Sequence, residues 1–288
     1  MRMRATVAAV TGALALSALA VPAAQAGDQA VPRLDKPTAA EAFGLGAGAP
    51  RAAARSAVGE PVISKVVVNG GKDIVLGTTA SKKITVSVTA SHPSGIVDGY
   101  IDLWHGSDVE TDVDGFLAPN ESAATCTNSS ATTATCKMTI TVVPGEDLYK
   151  NALAGTWHVT AGALAGDMNS VAWNDYYSTA RVQRLSKVTV NAAPEPVRKG
   201  RTITVTGKLS RANWETGTYK GYATQPVKLQ FRKKSSSTYT TVKTIKTSST
   251  GELKTTVTAS VDGYWRYSFA GTSTTPAVTA AGDFVDVQ

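Results

Sequence analysis

The sequence predicts an all-β protein, with two tandem antiparallel β-sandwiches following an N-terminal leader and an Ala/Gly-rich arm. Three observations carry this. Short runs of alternating or β-branched residues recur through residues 60–288, and Gly, Pro, Asn or Asp clusters separate most of them. No window keeps apolar spacing at the helical period for three turns, so little helix is expected. The charge also reverses part-way. Residues 60–184 carry 8 Lys+Arg against 13 Asp+Glu, a net of −5, and residues 187–288 carry 15 against 6, a net of +9.

Residues 1–26 read as a secretory signal peptide. Arg2 and Arg4 begin it, an apolar run spans residues 5–20, and Ala24-Gln25-Ala26 fits the small-x-small cleavage rule. No later run is long enough to cross a bilayer, and no anchor follows at the C-terminus, so a secreted, extracellular protein is expected. Residues 27–59 are rich in Ala, Gly and Pro. Such a segment offers too little apolar surface to offset its ordering entropy and is expected to be a flexible arm.

Residues 60–185 form the expected acidic sandwich. Its strand-like runs are VISKVVV (62–68), KITVSVTA (83–90), GYIDLW (99–104), CKMTITVV (136–143), GTWHVTAG (155–162) and STARVQR (178–184). Residues 186–288 form the basic one, through KVTVNA (187–192), RTITVTGKL (201–209), PVKLQFRK (226–233), TYTTVKTIK (238–246), ELKTTVTA (252–259), YWRYSFA (264–270) and DFVDVQ (283–288). The boundary is placed near Leu185. Two cysteines in an exported chain predict one disulfide, Cys126–Cys136.

Catalysis is not signalled. His92, His105 and His158 are scattered, and neither HExxH nor GxSxG occurs. Asp102, Trp104 and His105 sit together at a strand end; a surface histidine beside a core tryptophan explains them without chemistry. Nucleic acid is not expected as a partner of an exported chain, although RKKSSSTYTTVK (232–243) interleaves basic and aromatic residues. Alternation there places lysines on a solvent-facing strand, a common guard against edge pairing. Anionic cell-envelope polymers, or another extracellular protein, suit this charge better. Trp214, Tyr219 and Tyr222 cluster in RANWETGTYKGYATQ (211–225), where they either face a sugar-like ligand or cover the open end of the sandwich core.

The stretch ETDVDGFLAPNE (110–121) has nearly the spacing of a helix–loop–helix calcium loop. A Ca²⁺ ion there would draw on Glu110, Asp112, Asp114, the carbonyl of Phe116 and bidentate Glu121, with Gly115 making the sharp turn. Glu in the first place, Pro119 in the tenth and β-prone flanks count against it. A solvent-facing strand edge gives the same alternation of acids.

NAAPEPVRKGRTITVTGKL (191–209), ATQPVKLQFRKKSSSTYTTVKT (223–244) and GELKTTVTASVDGYWRYSFAGTST (251–274) together resemble a domain common in secreted actinobacterial proteins. There it follows an N-terminal β-domain with a short two-cysteine loop. These are uncharacterised two-domain Ig-like proteins, some carried under a calcium-binding label. The resemblance implies Ig-like sandwiches and a non-catalytic role and supplies no functional residues. The expected function is therefore a secreted, monomeric, non-catalytic binding protein near the cell envelope, with calcium as its candidate cofactor. The alternatives are a structural or adhesion module without metal and a carbohydrate-binding module.

Overall fold

The computed structural model describes residues 36–45 and 59–288. The leader expected over 1–26 lies outside the described residues. Among those described, no helix is long and apolar enough to cross a membrane.

Nine strands build the first sandwich: β1 (Val62–Val68), β2 (Ile74–Leu76), β3 (Lys82–Ser91), β4 (Ile96–Asp108), β5 (Asp112–Leu117), β6 (Thr125–Asn128), β7 (Thr133–Val142), β8 (Gly155–Ala165) and β9 (Val171–Arg184). One sheet runs β1-β3-β7-β6 and the other β2-β9-β8-β4-β5, with only β2–β9 parallel. On β3, Ile84, Val86, Val88 and Ala90 point inward; on β7, Ala134, Cys136, Met138, Ile140 and Val142 do so. Threonines and lysines between them meet solvent, the pattern of a sheet with one wet face. Cys126 faces Cys136 across β6–β7, and the two are bonded. Closing so short a loop contributes about 3 kcal/mol in the chain-entropy account.

Ten strands build the second: β10 (Ser186–Val188), β11 (Asn191–Ala193), β12 (Thr202–Asn213), β13 (Thr218–Gly221), β14 (Pro226–Lys233), β15 (Thr240–Lys246), β16 (Glu252–Thr258), β17 (Gly263–Phe269), β18 (Val278–Thr279) and β19 (Asp283–Val285). β12 pairs with β10, β11, β13 and β16; the opposing sheet runs β15-β14-β17-β18, with β19 also on β17. Val205, Val227, Leu229, Trp265, Tyr267 and Phe269 fill the space between them. Tyr267 is fully buried, so its hydroxyl needs a partner and donates to the Val205 carbonyl at 2.9 Å. Burial pushes its pKa up to about 12. The protein is thus all-β, two immunoglobulin-like sandwiches in tandem.

No spacer separates the two. β9 ends at Arg184 and β10 begins at Ser186, with Leu185 bonded on both sides: its N–H donates to Leu76 and its carbonyl accepts from Ala212. The buried Arg184 side chain donates Nε to the Ala212 carbonyl at 2.6 Å. Burial, reinforced by the neighbouring Arg211 charge, lowers its pKa to about 10, still well above neutrality.

The β12–β13 hairpin reaches into the first sandwich. Its tip residue, Trp214, is 2 % exposed and packs into the core of the first sandwich, donating Nε1 to the Gly77 carbonyl at 3.0 Å. Asn151 of the first sandwich accepts from the Trp214 N–H and donates its own N–H to Glu215. Trp214 and Tyr219 thus cover the core of the first sandwich, which corrects the reading of them as ligand-facing rings or as cover for their own core; Tyr222 does cover its own core. Tyr219 packs against the first core with Lys187 over its ring, and Tyr222 lies between Arg211 and Phe269. A large indole loses more water by entering the neighbour's core than its own exposed hairpin could exclude.

A second correction concerns the arm. Residues 36–45 are not free: they fold around a short helix, α1 (Ala39–Ala42), and lie on the first sandwich. Thr38 and Glu41 form a capping box, each side chain answering the other's backbone N–H. Composition alone undervalued two residues of this segment, Lys36 and Phe43.

Candidate functional site

The outer face of β4 is where the first sandwich departs from an ordinary sheet. Ile101 and Leu103 point into the core, so the alternate residues Tyr100, Asp102 and Trp104 should meet solvent; all three are at most 6 % exposed. The arm is one cover. Phe43 packs edge-on against Tyr100 and Trp173, which stack on each other, and Gly162 leaves room for both Phe43 and Trp173. A Cβ at Gly162 would come within 2.7 Å of the Trp173 ring and 3.1 Å of Phe43.

Beneath Trp173, the Lys36 ammonium lies 2.6 Å from Asp175 Oδ1 and 3.1 Å from Asp102 Oδ2, and 4.9 Å from the indole centroid. Its side chain is 4 % exposed and that of Asp102 fully buried. Neither Asp102 oxygen, nor the facing Thr160 hydroxyl, has a well-formed hydrogen bond among the described residues. Burial pushes the Asp102 carboxyl up against the opposing pull of Lys36, and burial together with the Asp102 charge pushes the Tyr100 phenol up as well. Among the described residues the Lys36 ammonium is the one cation paired with this carboxylate, and an aromatic wall shields the pair.

His105, at the other end of β4, is on the opposite face, with its ring 5.5 Å from that of the core residue Trp157. Its Nδ1 meets Asp114, which also receives Lys150 Nζ at 2.7 Å. The two other histidines are apart from it: His158 stacks on Trp104, and His92 bonds to the Gly59 carbonyl and accepts from the Ser94 N–H.

The acidic stretch is a β-hairpin, not a loop about one centre. Its turn lies at 109–111, where Asp108 caps the N–H groups of Glu110 and Thr111. Asp112 accepts from the Ser107 N–H and hydroxyl; Asp114 is held by His105 and Lys150; Glu121 accepts from the Thr139 N–H and hydroxyl on β7. Glu110 is exposed, and Phe116 sits on β5 opposite Trp104. Gly115 makes no turn. It is a buried strand position opposite His105, where a Cβ would strike Trp157 at 2.7 Å. The residues expected to share one ion therefore point to separate protein donors, and no cluster of three or more potential ligands occurs among the described residues. The donor set does not fit a calcium sphere.

Hydrogen bonds from Ser107 hold Asp112 below the usual carboxylate range. Burial alone would raise Asp114, but Lys150 and His105 bring it below as well. Groups depressed in the folded state contribute stability above the unfolded pKa of about 4, and lose it as pH falls through the folded value. Asp114→Asn is expected to lower stability by about 1 kcal/mol at pH 7, allowing for screening of a partly exposed pair, with a shrinking difference below pH about 4. Asp112→Asn should also lower the melting temperature. Mutually repelling ligands of an empty metal loop would respond with the opposite sign, and calcium would then protect where equal magnesium does not.

The second sandwich carries a different surface. On the solvent face of β14 and β17, guanidinium groups and rings alternate. Arg266 Cζ lies 3.6 Å above the Tyr239 ring, Arg232 Cζ lies 3.8 Å above Tyr264, and Lys234 Nζ lies 5.1 Å from Phe284. Tyr264 and Phe284 are themselves 5.1 Å apart. Gln230 Oε1 accepts from Arg266 Nε, and the Ser236 carbonyl accepts from Arg232, so both guanidinium planes are oriented. Register explains the row: Arg232 pairs with Tyr264 and Gln230 with Arg266 across β14–β17, and Tyr264 with Phe284 across β17–β19. The interleaved run at 232–243 signalled part of it, but Arg266, Tyr264 and Phe284 come from two later strands.

Residues 76–163 match a family described as a family of unknown function, DUF5707. That span runs from the end of β2 to β8, holding the disulfide and the acidic hairpin but neither Lys36, Asp175 nor the second sandwich. No curated protein matches the chain. Among solved structures it is similar to latent PorU from Porphyromonas gingivalis, at 13% identity over 79% of this chain and 20% of that one, TM-score 0.27. It is also similar to the fibronectin(III)-like modules of Clostridium thermocellum CbhA, at 10% identity over 77% and 93%, TM-score 0.31. A third similarity is to the Yersinia pseudotuberculosis adhesin InvE, at 13% identity over 77% and 60%, TM-score 0.26. The chain thus spans a fifth of the PorU chain. At these scores nothing about function transfers, and the fold rests on the strand pairing above.

Proposed function

We propose that this is a secreted, non-catalytic binding protein that attaches through its second sandwich to anionic glycopolymers of the cell envelope. The stacked row Tyr239–Arg266 and Arg232–Tyr264 carries the reading. A guanidinium held over a ring keeps N–H donors for a carboxylate or phosphate, and the half-buried rings beside it leave edges that suit sugars. The net charge of +9 over residues 187–288 supplies the long-range attraction, and the leader-like start of the chain supplies the route out of the cell.

Binding to purified acidic wall polymer is expected to weaken steeply with salt, since exposed charges are screened beyond about 8 Å at physiological ionic strength. Arg232→Ala with Arg266→Ala should reduce affinity at least tenfold, on the order of 1.4 kcal/mol, while Lys208→Ala and Lys254→Ala on the opposite sheet should matter little. Equal losses from both pairs would mean diffuse charge attraction without a built face. No binding at low salt would refute the function.

A further inference from the structure

We infer that the groove on the outer face of β4, β8 and β9 is a docking site for the Lys36–Leu45 segment of a second copy of this chain. Three observations support it. First, the groove is built for one chemistry. Among the described residues, neither oxygen of the fully buried Asp102, nor the facing Thr160 hydroxyl, has a well-formed hydrogen bond, and Asp175 stands at the mouth. A primary ammonium, with three donors on a slim stem, suits that lining.

Second, the segment carries a complete key: Lys36 for the two carboxylates and, seven residues on, Phe43 for the notch at Gly162 between Tyr100 and Trp173. The capping box of α1 sets the spacing between them. Third, these contacts are all to the outer face of one sandwich, and residues 46–58 intervene before β1. The arm of another copy can therefore make every one of them unchanged, which is the condition for exchange of an identical element between protomers. An arm attached in cis competes at an effective concentration typically on the order of millimolar, so exchange belongs to crowded copies, as on an envelope.

Complementation between two full-length variants tests this. Lys36→Ala disables the key and keeps the groove; Asp102→Asn disables the groove and keeps the key. Circular dichroism and a melting curve first establish that each is folded. Each alone is expected to be monomeric in analytical ultracentrifugation. Mixed, they should form a species of twice the mass that stops there, because the remaining arm and the remaining groove are both dead. A labelled peptide of residues 35–45 should bind Lys36→Ala at least tenfold more tightly than the wild type or Asp102→Asn. Phe43→Ala and Gly162→Leu serve as the second key and groove variants if either first variant fails to fold. A mixture that stays monomeric at high concentration overturns the inference, as does a peptide that binds all the proteins alike. Polymer binding by the second sandwich should be unchanged in the monomeric variants, so failure here is separable from failure of the proposed function.

Discussion

Trp214→Ala is expected to lower stability by about 3–5 kcal/mol and to split one cooperative unfolding transition into two. The indole belongs by sequence to the second sandwich and by burial to the first, packing there with the core that includes Leu76 and Leu153. Its removal leaves a cavity in one core and frees a hairpin of the other. It also leaves the Gly77 carbonyl without its indole donor and weakens the setting of the Asn151 bonds. Leu185, Arg184 and Gln183 still bridge to the second sandwich by hydrogen bonds, which hold orientation but exclude little water. Calorimetry should show one peak for the wild type, two for Trp214→Ala, and a single lowered peak for Trp214→Phe, which restores bulk without the donor. A single unshifted transition in Trp214→Ala would show that the hairpin tip does not couple the sandwiches.

The second large effect concerns the buried ion pair. Removing one partner of such a pair commonly costs about 3–5 kcal/mol, because the other charge is left without compensation. Lys36 can escape that cost in a way most buried lysines cannot. Its segment can leave, and water then reaches Asp102. The loss in Lys36→Met is therefore capped at the docking free energy of the arm and appears chiefly as lost hydrogen-exchange protection over residues 36–45. Trp173 and Tyr100 should become wetter, shifting tryptophan emission to the red. Asp102→Leu should release the arm likewise. The double variant Lys36→Met with Asp102→Leu, apolar at both places, is expected to regain much of the protection, with a coupling of about 0.5–3 kcal/mol between the sites. Strictly additive single effects would mean that the pair does not hold the arm.

The strands most legible in the chain were those with one wet face. VISKVVV became β1 with its bounds unchanged, and KITVSVTA and CKMTITVV lie within β3 and β7 or overrun them by a residue. Period-2 alternation marks such strands because one side must meet water and the other must not. β2, β6, β13 and β18 leave no mark in the sequence, being two to four residues long and too short to show a period. β5 reads equally as a metal loop, because alternate acids on a hairpin and alternate acids around an ion share the same spacing. What separates the readings is the partner of each carboxylate, and Ser107, His105, Lys150 and Thr139 come from other strands and loops.

Fold class, the disulfide pairing and the basic character of the second half were all contained in residue types and their local order, since alternation, a lone cysteine pair and charge are properties of neighbours along the chain. The docked arm, the shared tryptophan and the arginine–tyrosine row were not. Each depends on which surface a residue finds after folding: Lys36 meets carboxylates at 102 and 175, Trp214 meets the carbonyl of residue 77, and Arg232 meets a ring at 264. Composition made the arm look unable to order, because its sum of apolar area is small. Two side chains fitted to a desolvated carboxylate and a glycine notch hold it nonetheless, and that fit exists only once β4, β8 and β9 lie side by side.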